Sequence, residues 1–156
     1  MTPNRSAALT TKLVGGSGDD ETPVSDIWLH GSPTGKRVPG AVLEAAVELD
    51  RHYMLFMTDD VPFEETLGIF LLDDRLNVVD SARLGGLYST GSFSALELCE
   101  PNTVRFRFIG DTTWSVRVLS RPELRVPVLP DAPGVIRPFG FYRHFIVSGR
   151  PQPQRR

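Results

Sequence analysis

The segment Glu65–Leu84, ETLGIFLLDDRLNVVDSARL, holds two runs of strand-forming residues around the polar turn Asp73-Asp74-Arg75-Leu76. The first run is apolar and the second alternates in polarity. A period of two over this length would smear apolar groups around a helix of 3.6 residues per turn, so the segment reads as one β-hairpin. The same grammar returns in Phe93–Cys99, Thr103–Ile109 and Thr113–Leu119, joined by the turns Glu100-Pro101-Asn102 and Gly110-Asp111-Thr112. Val104, Phe106 and Phe108 fall on one face and Arg105 and Arg107 on the other; Trp114, Val116 and Val118 oppose Ser115 and Arg117. Phe106, Phe108, Trp114 and Val116 are therefore expected in the core.

Three further strands are expected upstream. Asp26–His30 puts Ile27 and Leu29 on one face and Trp28 on the other, ending in the turn-rich Gly31–Gly35. Ala41–Leu49 fits a strand with Leu43, Ala45, Val47 and Leu49 inward, although Val42, Ala45, Ala46 and Leu49 also trace a helical stripe. His52–Thr58 is apolar on both faces, which suits a central strand paired in a hairpin. Five prolines between residues 120 and 140 predict an extended surface segment, followed by a last strand at Phe141–Val147.

Eight or nine short strands linked as consecutive hairpins imply an all-β fold, an antiparallel β-sandwich or a partly closed barrel. The chain of 156 residues suits one domain. Residues 1–24, with Gly15-Gly16-Ser17-Gly18 before Asp19-Asp20-Glu21, read as a flexible arm, residues 25–149 as a single β domain, and residues 150–156 as a disordered tail. Apolar residues make up 40% and charged residues 23%, an ordinary globular composition. No apolar segment is long enough for a signal-peptide core or a membrane span, and the single cysteine, Cys99, excludes an internal disulfide. Cys99 lies in an apolar run and reads as a buried, inert thiol. These features suggest a cytoplasmic, bacterial-type protein with no membrane partner.

The net charge of −2 conceals a division. Residues 1–80 carry 14 acidic and 6 basic side chains, a net −8, whereas residues 81–156 carry 5 acidic and 11 basic, a net +6. The expectation is that acidic strands pair with basic ones.

Motifs for chemistry are weak. His30, His52 and His144 lack ligand spacing, so no metal site is expected, and His52 and His144 read as hydrogen-bonded sheet histidines. His30-Gly31-Ser32 sets a base near a hydroxyl without a third group to orient it. Gly31–Arg37, GSPTGKR, falls one residue short of phosphate-loop spacing and places Arg37 where a magnesium-holding hydroxyl belongs, so no nucleotide cofactor is expected. Asp73-Asp74-Arg75-Leu76-Asn77 with Asp80 lacks the glycine and the terminal glutamate of a calcium loop and reads as a solvated hairpin tip. No catalytic residue or cofactor is assigned.

Two surfaces remain. Asp59, Asp60, Glu64 and Glu65 frame Phe63, an apolar anchor in an acidic rim suited to a basic protein partner such as a toxin or effector. Arg105, Arg107 and Arg117 should share the outward face of one hairpin and form a second, anion-binding candidate, with Glu97 beside them. Nucleic acid is not the expected ligand, because no aromatic side chains interleave the arginines and the whole chain is acidic. The leading expectation is a non-enzymatic protein-binding domain of the immunity or antitoxin kind. One alternative is a small-molecule-binding or enzymatic barrel with Tyr88, Arg105 and His144 converging inside it. Another is a structural homodimer formed through an exposed strand edge.

Overall fold

β-branched and aromatic runs broken by short polar turns fold as anticipated, into strands alone. The computed structural model describes residues 2–15, 22–59, 66–85, 92–108, 112–124, 134–138, 140 and 142–149. Among them lie thirteen strands and no helix: β1 (Pro3–Arg5), β2 (Leu9–Gly15), β3 (Val24–Leu29), β4 (Ser32–Pro39), β5 (Val42–Leu49), β6 (His52–Thr58), β7 (Leu67–Leu72), β8 (Val78–Leu84), β9 (Ser94–Cys99), β10 (Thr103–Arg107), β11 (Trp114–Leu124), β12 (Val135–Ile136) and β13 (Tyr142–Ser148). Accordingly, no helix of the described residues is long and apolar enough to cross a membrane.

The strands form three antiparallel sheets, ordered β1-β5-β6-β7-β8-β12, β13-β11-β10-β9 and β2-β3-β4. The six-stranded sheet is the middle layer. On one face Val47, Met54, Phe56, Ile69, Leu71 and Leu84 pack against Val104, Phe106, Trp114, Val116 and Phe145 of the four-stranded sheet. On the other, Ala46, Leu55, Met57, Phe70 and Leu72 pack against Leu9, Ile27 and Val38 of the three-stranded sheet. The architecture is an open sandwich of layers, not a closed barrel. All four expected core residues, Phe106, Phe108, Trp114 and Val116, are buried.

Covering both faces of the middle sheet explains β6. Met54 and Phe56 enter one core and Leu55 and Met57 the other, so its sequence needs no alternation. Lying third in the sheet, it occupies the central position expected of it.

Four strands were not legible in the sequence. The segment read as a flexible arm supplies β1, which pairs with Val47–Leu49, and β2, which pairs with β3. Leu9 of β2 is only 2% exposed, and that burial holds the segment in place despite the glycine-rich composition that follows. Residues 16–21 and the tail, 150–156, lie outside the described residues. The Gly31–Gly35 segment is not one long turn: the reversal is confined to His30-Gly31, and β4 begins at Ser32. Pro33 is tolerated because β4 is an edge strand with one neighbour and can forgo an outward amide. In the proline-rich stretch, β11 runs on to Leu124 and β12 adds to β8.

The ambiguity of residues 41–49 has a structural cause. β5 pairs Leu43 with Met57 and Ala45 with Phe56, so a bulge at Glu44 shifts the phase of the strand. Leu43 then joins Ala46 on one core and Ala45 joins Val47 and Leu49 on the other. Leu43 was expected beside Ala45; the bulge is what turns it to the opposite face, and it also produces the helix-like spacing.

Candidate functional site

The antiparallel register of β10 and β11 brings the arginines together. Thr103 stands opposite Arg117, Arg105 opposite Ser115 and Phe106 opposite Trp114. Because directly opposed residues share a face, Arg105 and Arg117 are diagonal neighbours, about 7–8 Å apart at the backbone. Arg107 follows on the same side of β10. All three are exposed, on the face of the four-stranded sheet turned away from the core. Arg117 also stands opposite Ile146 of β13, which puts half-buried His144 on this face as well. Across β9, Glu97 stands opposite Arg105 as the local counter-charge.

The division of charge along the chain is preserved in space. The four-stranded sheet comes entirely from the basic half, and its strands carry five arginines, 105, 107, 117, 121 and 143, against Glu97 and Glu123. Among the described residues the two halves share a ladder only in the β7–β8 hairpin, where Arg83 faces Gly68. Acidic strands do not pair with basic ones. Hairpins keep sequence neighbours together, so a division along the chain becomes a division between layers.

Of the acidic candidate, only Asp59 is among the described residues; its Oδ2 accepts a hydrogen bond from Thr66 Oγ1 at 3.1 Å. Asp60, Phe63, Glu64 and Glu65 lie outside them, as does Tyr88. The interior convergence of Arg105 and His144 does not occur, since both belong to the outward face of the four-stranded sheet. A shallow cleft of about 220 Å³ lies elsewhere, at the bulged end of β5, lined by Arg5, Ser6, Leu43, Glu44, Ala45 and Ala46.

The interior holds a polar cluster that sequence reading missed. Asp80, Ala82 and Leu84 stand opposite Leu71, Ile69 and Leu67, on the face that meets the four-stranded sheet. There Asp80 Oδ2 meets Arg137 Nη2 at 2.6 Å, with the Arg137 side chain 2% and the Asp80 side chain 3% exposed. Oδ2 also accepts from the His144 amide at 2.8 Å and Oδ1 from the Ser81 amide at 2.8 Å. Arg137 donates from Nη1 to the Phe145 carbonyl at 3.1 Å, and its guanidinium carbon lies 4.3 Å from the centre of the Phe145 ring. Arg143, also buried, donates to the Pro138 carbonyl at 3.1 Å. With both carboxylate oxygens engaged, the cluster is a clasp between β8, β13 and the chain after β12. The alternation of β8 could have marked Asp80 as inward; nothing local marks Arg137 as its partner.

The remaining titratable groups are dispersed. His30 lies in the β3–β4 turn with a φ of 51°, and His52 begins β6 with a buried Nδ1 that has no hydrogen-bond partner, which departs from the satisfied histidine expected there. Among the described residues no three His, Cys, Asp or Glu side chains gather as a metal would require. Cys99 is half-buried, opposite Thr103, and not in the core. At the β7–β8 tip Asp73 Oδ1 accepts from the Arg75 and Asn77 amides, both at 2.9 Å. The bond from the Asn77 amide, outweighing the opposing effect of burial, holds the Asp73 carboxyl below its ordinary value. That tip is only partly solvated, because Leu76 adopts a positive φ of 62° and tucks into the core against the three-stranded sheet. Tyr53 is pushed above its ordinary value by burial and by Glu48, which stands opposite it.

No protein-family model, curated protein or solved structure matches this chain.

Proposed function

We propose that the chain is a non-enzymatic protein-binding domain that presents the outward face of its four-stranded sheet to an acidic partner. The observation that carries this reading is the grouping of exposed Arg105, Arg107 and Arg117 on one sheet face, with Glu97 as the facing carboxylate. Planar guanidinium groups at this spacing suit the bidentate capture of several carboxylates, and a stiff sheet fixes their arrangement before binding. An immunity or antitoxin role, in which the domain covers the working surface of a toxin, is one member of this class. The net charge of −2 favours protein over nucleic acid.

The test compares the wild type, an Arg105→Glu/Arg107→Glu/Arg117→Glu variant and an Asp59→Lys/Asp60→Lys variant in capture from nuclease-treated native lysate, followed by binding kinetics on the captured protein. The arginine variant should associate at least about tenfold more slowly at low salt, and the aspartate variant should behave as wild type. The opposite pattern would move the site to the acidic segment, and equal rates for all three would remove both surfaces from consideration.

A further inference from the structure

An unmatched charge is among the least favourable groups a protein interior can hold, because its removal from water is offset only by a partner of opposite sign. Beside the Asp80 clasp the charges do not match. The Arg137 side chain is 2% exposed, and Arg143, on the inward side of β13 with Phe145 and Val147, is 9% exposed. Asp80 is the one carboxylate buried with them among the described residues. Two guanidinium groups against one carboxylate leave a positive charge uncompensated.

Asp80 has nothing left to offer Arg143. Its Oδ2 accepts from Arg137 Nη2 and the His144 amide, and its Oδ1 from the Ser81 amide. Even so, Arg137 Nε is buried with no hydrogen-bond partner among the described residues. Arg143 reaches one neutral acceptor, the Pro138 carbonyl at 3.1 Å, one residue beyond Arg137. Glu123 stands opposite Arg143 in the ladder but is exposed, and among the described residues no carboxylate forms an ion pair with Arg143. Buried donors and buried positive charge both exceed what the surrounding chain accepts. A Cβ at Gly140 would stand 3.6 Å from Arg143 Nη1, so a side chain there would lie against that nitrogen, and glycine leaves it open to a small ligand.

We infer that Arg143 is an anion-binding site, which takes a small-molecule carboxylate beside Pro138 and Gly140 and so completes the charge of the Asp80 cluster. The sign follows from the surplus guanidinium. The valence follows from Asp80, because a monoanion brings the cluster to neutrality whereas a dianion would reverse the imbalance next to an existing carboxylate. The shape follows from the guanidinium edge, whose parallel N–H groups match the two oxygens of a carboxylate. This site is separate from the arginine face: Arg105, Arg107 and Arg117 are exposed on the outward side of the same sheet, and Arg143 is buried on the inward side.

Thermal unfolding of the full chain in sodium acetate, with ionic strength held constant by sodium chloride, tests this. The wild-type midpoint should rise saturably, by about 3–5 °C at tenfold excess over the dissociation constant. Arg143→Met should lose that response and, without acetate, should unfold at or above the wild-type midpoint, because it removes an unmatched charge. Gly140→Val keeps both arginines and should weaken acetate binding at least about fivefold by covering Nη1. The Arg105→Glu/Arg107→Glu/Arg117→Glu variant should respond as the wild type. A wild type that responds to acetate no more than to chloride overturns the inference. So does a response that survives Arg143→Met and disappears with the outer arginines, which would place the anion on the exposed face. If Arg143→Met fails to fold, saturation-transfer NMR from protein to acetate decides: a signal that is equal in the wild type and Gly140→Val also overturns the inference.

Discussion

Asp80 and Arg137 lie 57 residues apart in sequence and meet between two layers whose contact is mostly apolar. Breaking such a pair costs more than the pair itself contributes, because the surviving charge is left buried. Asp80→Ala should therefore lower stability by about 3–5 kcal/mol in urea titration, while joint replacement of Asp80 and Arg137 by Leu and Met should recover much of the loss. A single-site cost under about 1 kcal/mol would mean that Arg137 finds other partners or water. Phe106 is a purely apolar case: its ring lies 5.2 Å from Phe56 and 5.3 Å from Phe93, so Phe106→Ala should cost about 3–5 kcal/mol in the same assay. At the β7–β8 tip the depressed Asp73 carboxyl contributes stability that is full above its unfolded value and is lost as pH falls through the folded one. Carbon-13 titration should place its midpoint below the ordinary 3.8, and a midpoint at or above that value would show that the turn bonds do not persist in solution.

At the scale of elements, the register of β5 depends on its flanks. Gly40 enters β5 with a φ of 125°, and a Cβ there would stand 2.6 Å from Met57 Cβ in the neighbouring strand. Gly40→Ala combines an unfavourable backbone conformation with a clash that neither strand can relieve, so a loss of about 1–3 kcal/mol is expected on thermal unfolding. A neutral result would imply that the β5 bulge relaxes easily and that the division of Leu43 and Ala45 between two cores is not tightly specified. β1 and β2 belong to the same question. A chain lacking residues 1–15 should uncover Ile27, Val38 and Ala46 and bind the dye ANS, whereas a dispensable arm would leave dye binding and the unfolding midpoint unchanged.

For the whole molecule, the layered arrangement determines where charge can act. Along β6 and β7 the middle sheet is covered on both faces, so there its neighbours present the side chains that a partner meets. One of them carries the arginine face, and charge reversal at Arg105, Arg107 and Arg117 should leave the urea unfolding midpoint nearly unchanged, because these exposed side chains pack into neither core.

Alternation was enough to read β7 to β11 and the inward set from Val104 to Val116, because a half-buried strand records its environment every second residue. It also placed the arginines on one face, since a short hairpin turn fixes the register of two adjacent strands. What pattern could not supply was anything set by pairing across long stretches of chain. Edge strands such as β4 tolerate prolines and glycines that read as turns. β1 has only three residues, too short to show a period. The bulge at Glu44 mixes two faces into one misleading stripe, and Arg137 becomes a buried partner of Asp80 only because the chain after β11 crosses to the middle sheet and returns. Local sequence determined which segments are strands and which faces they bury; tertiary structure alone decided that there are three layers, because a side chain signals that it is buried but not which sheet covers it.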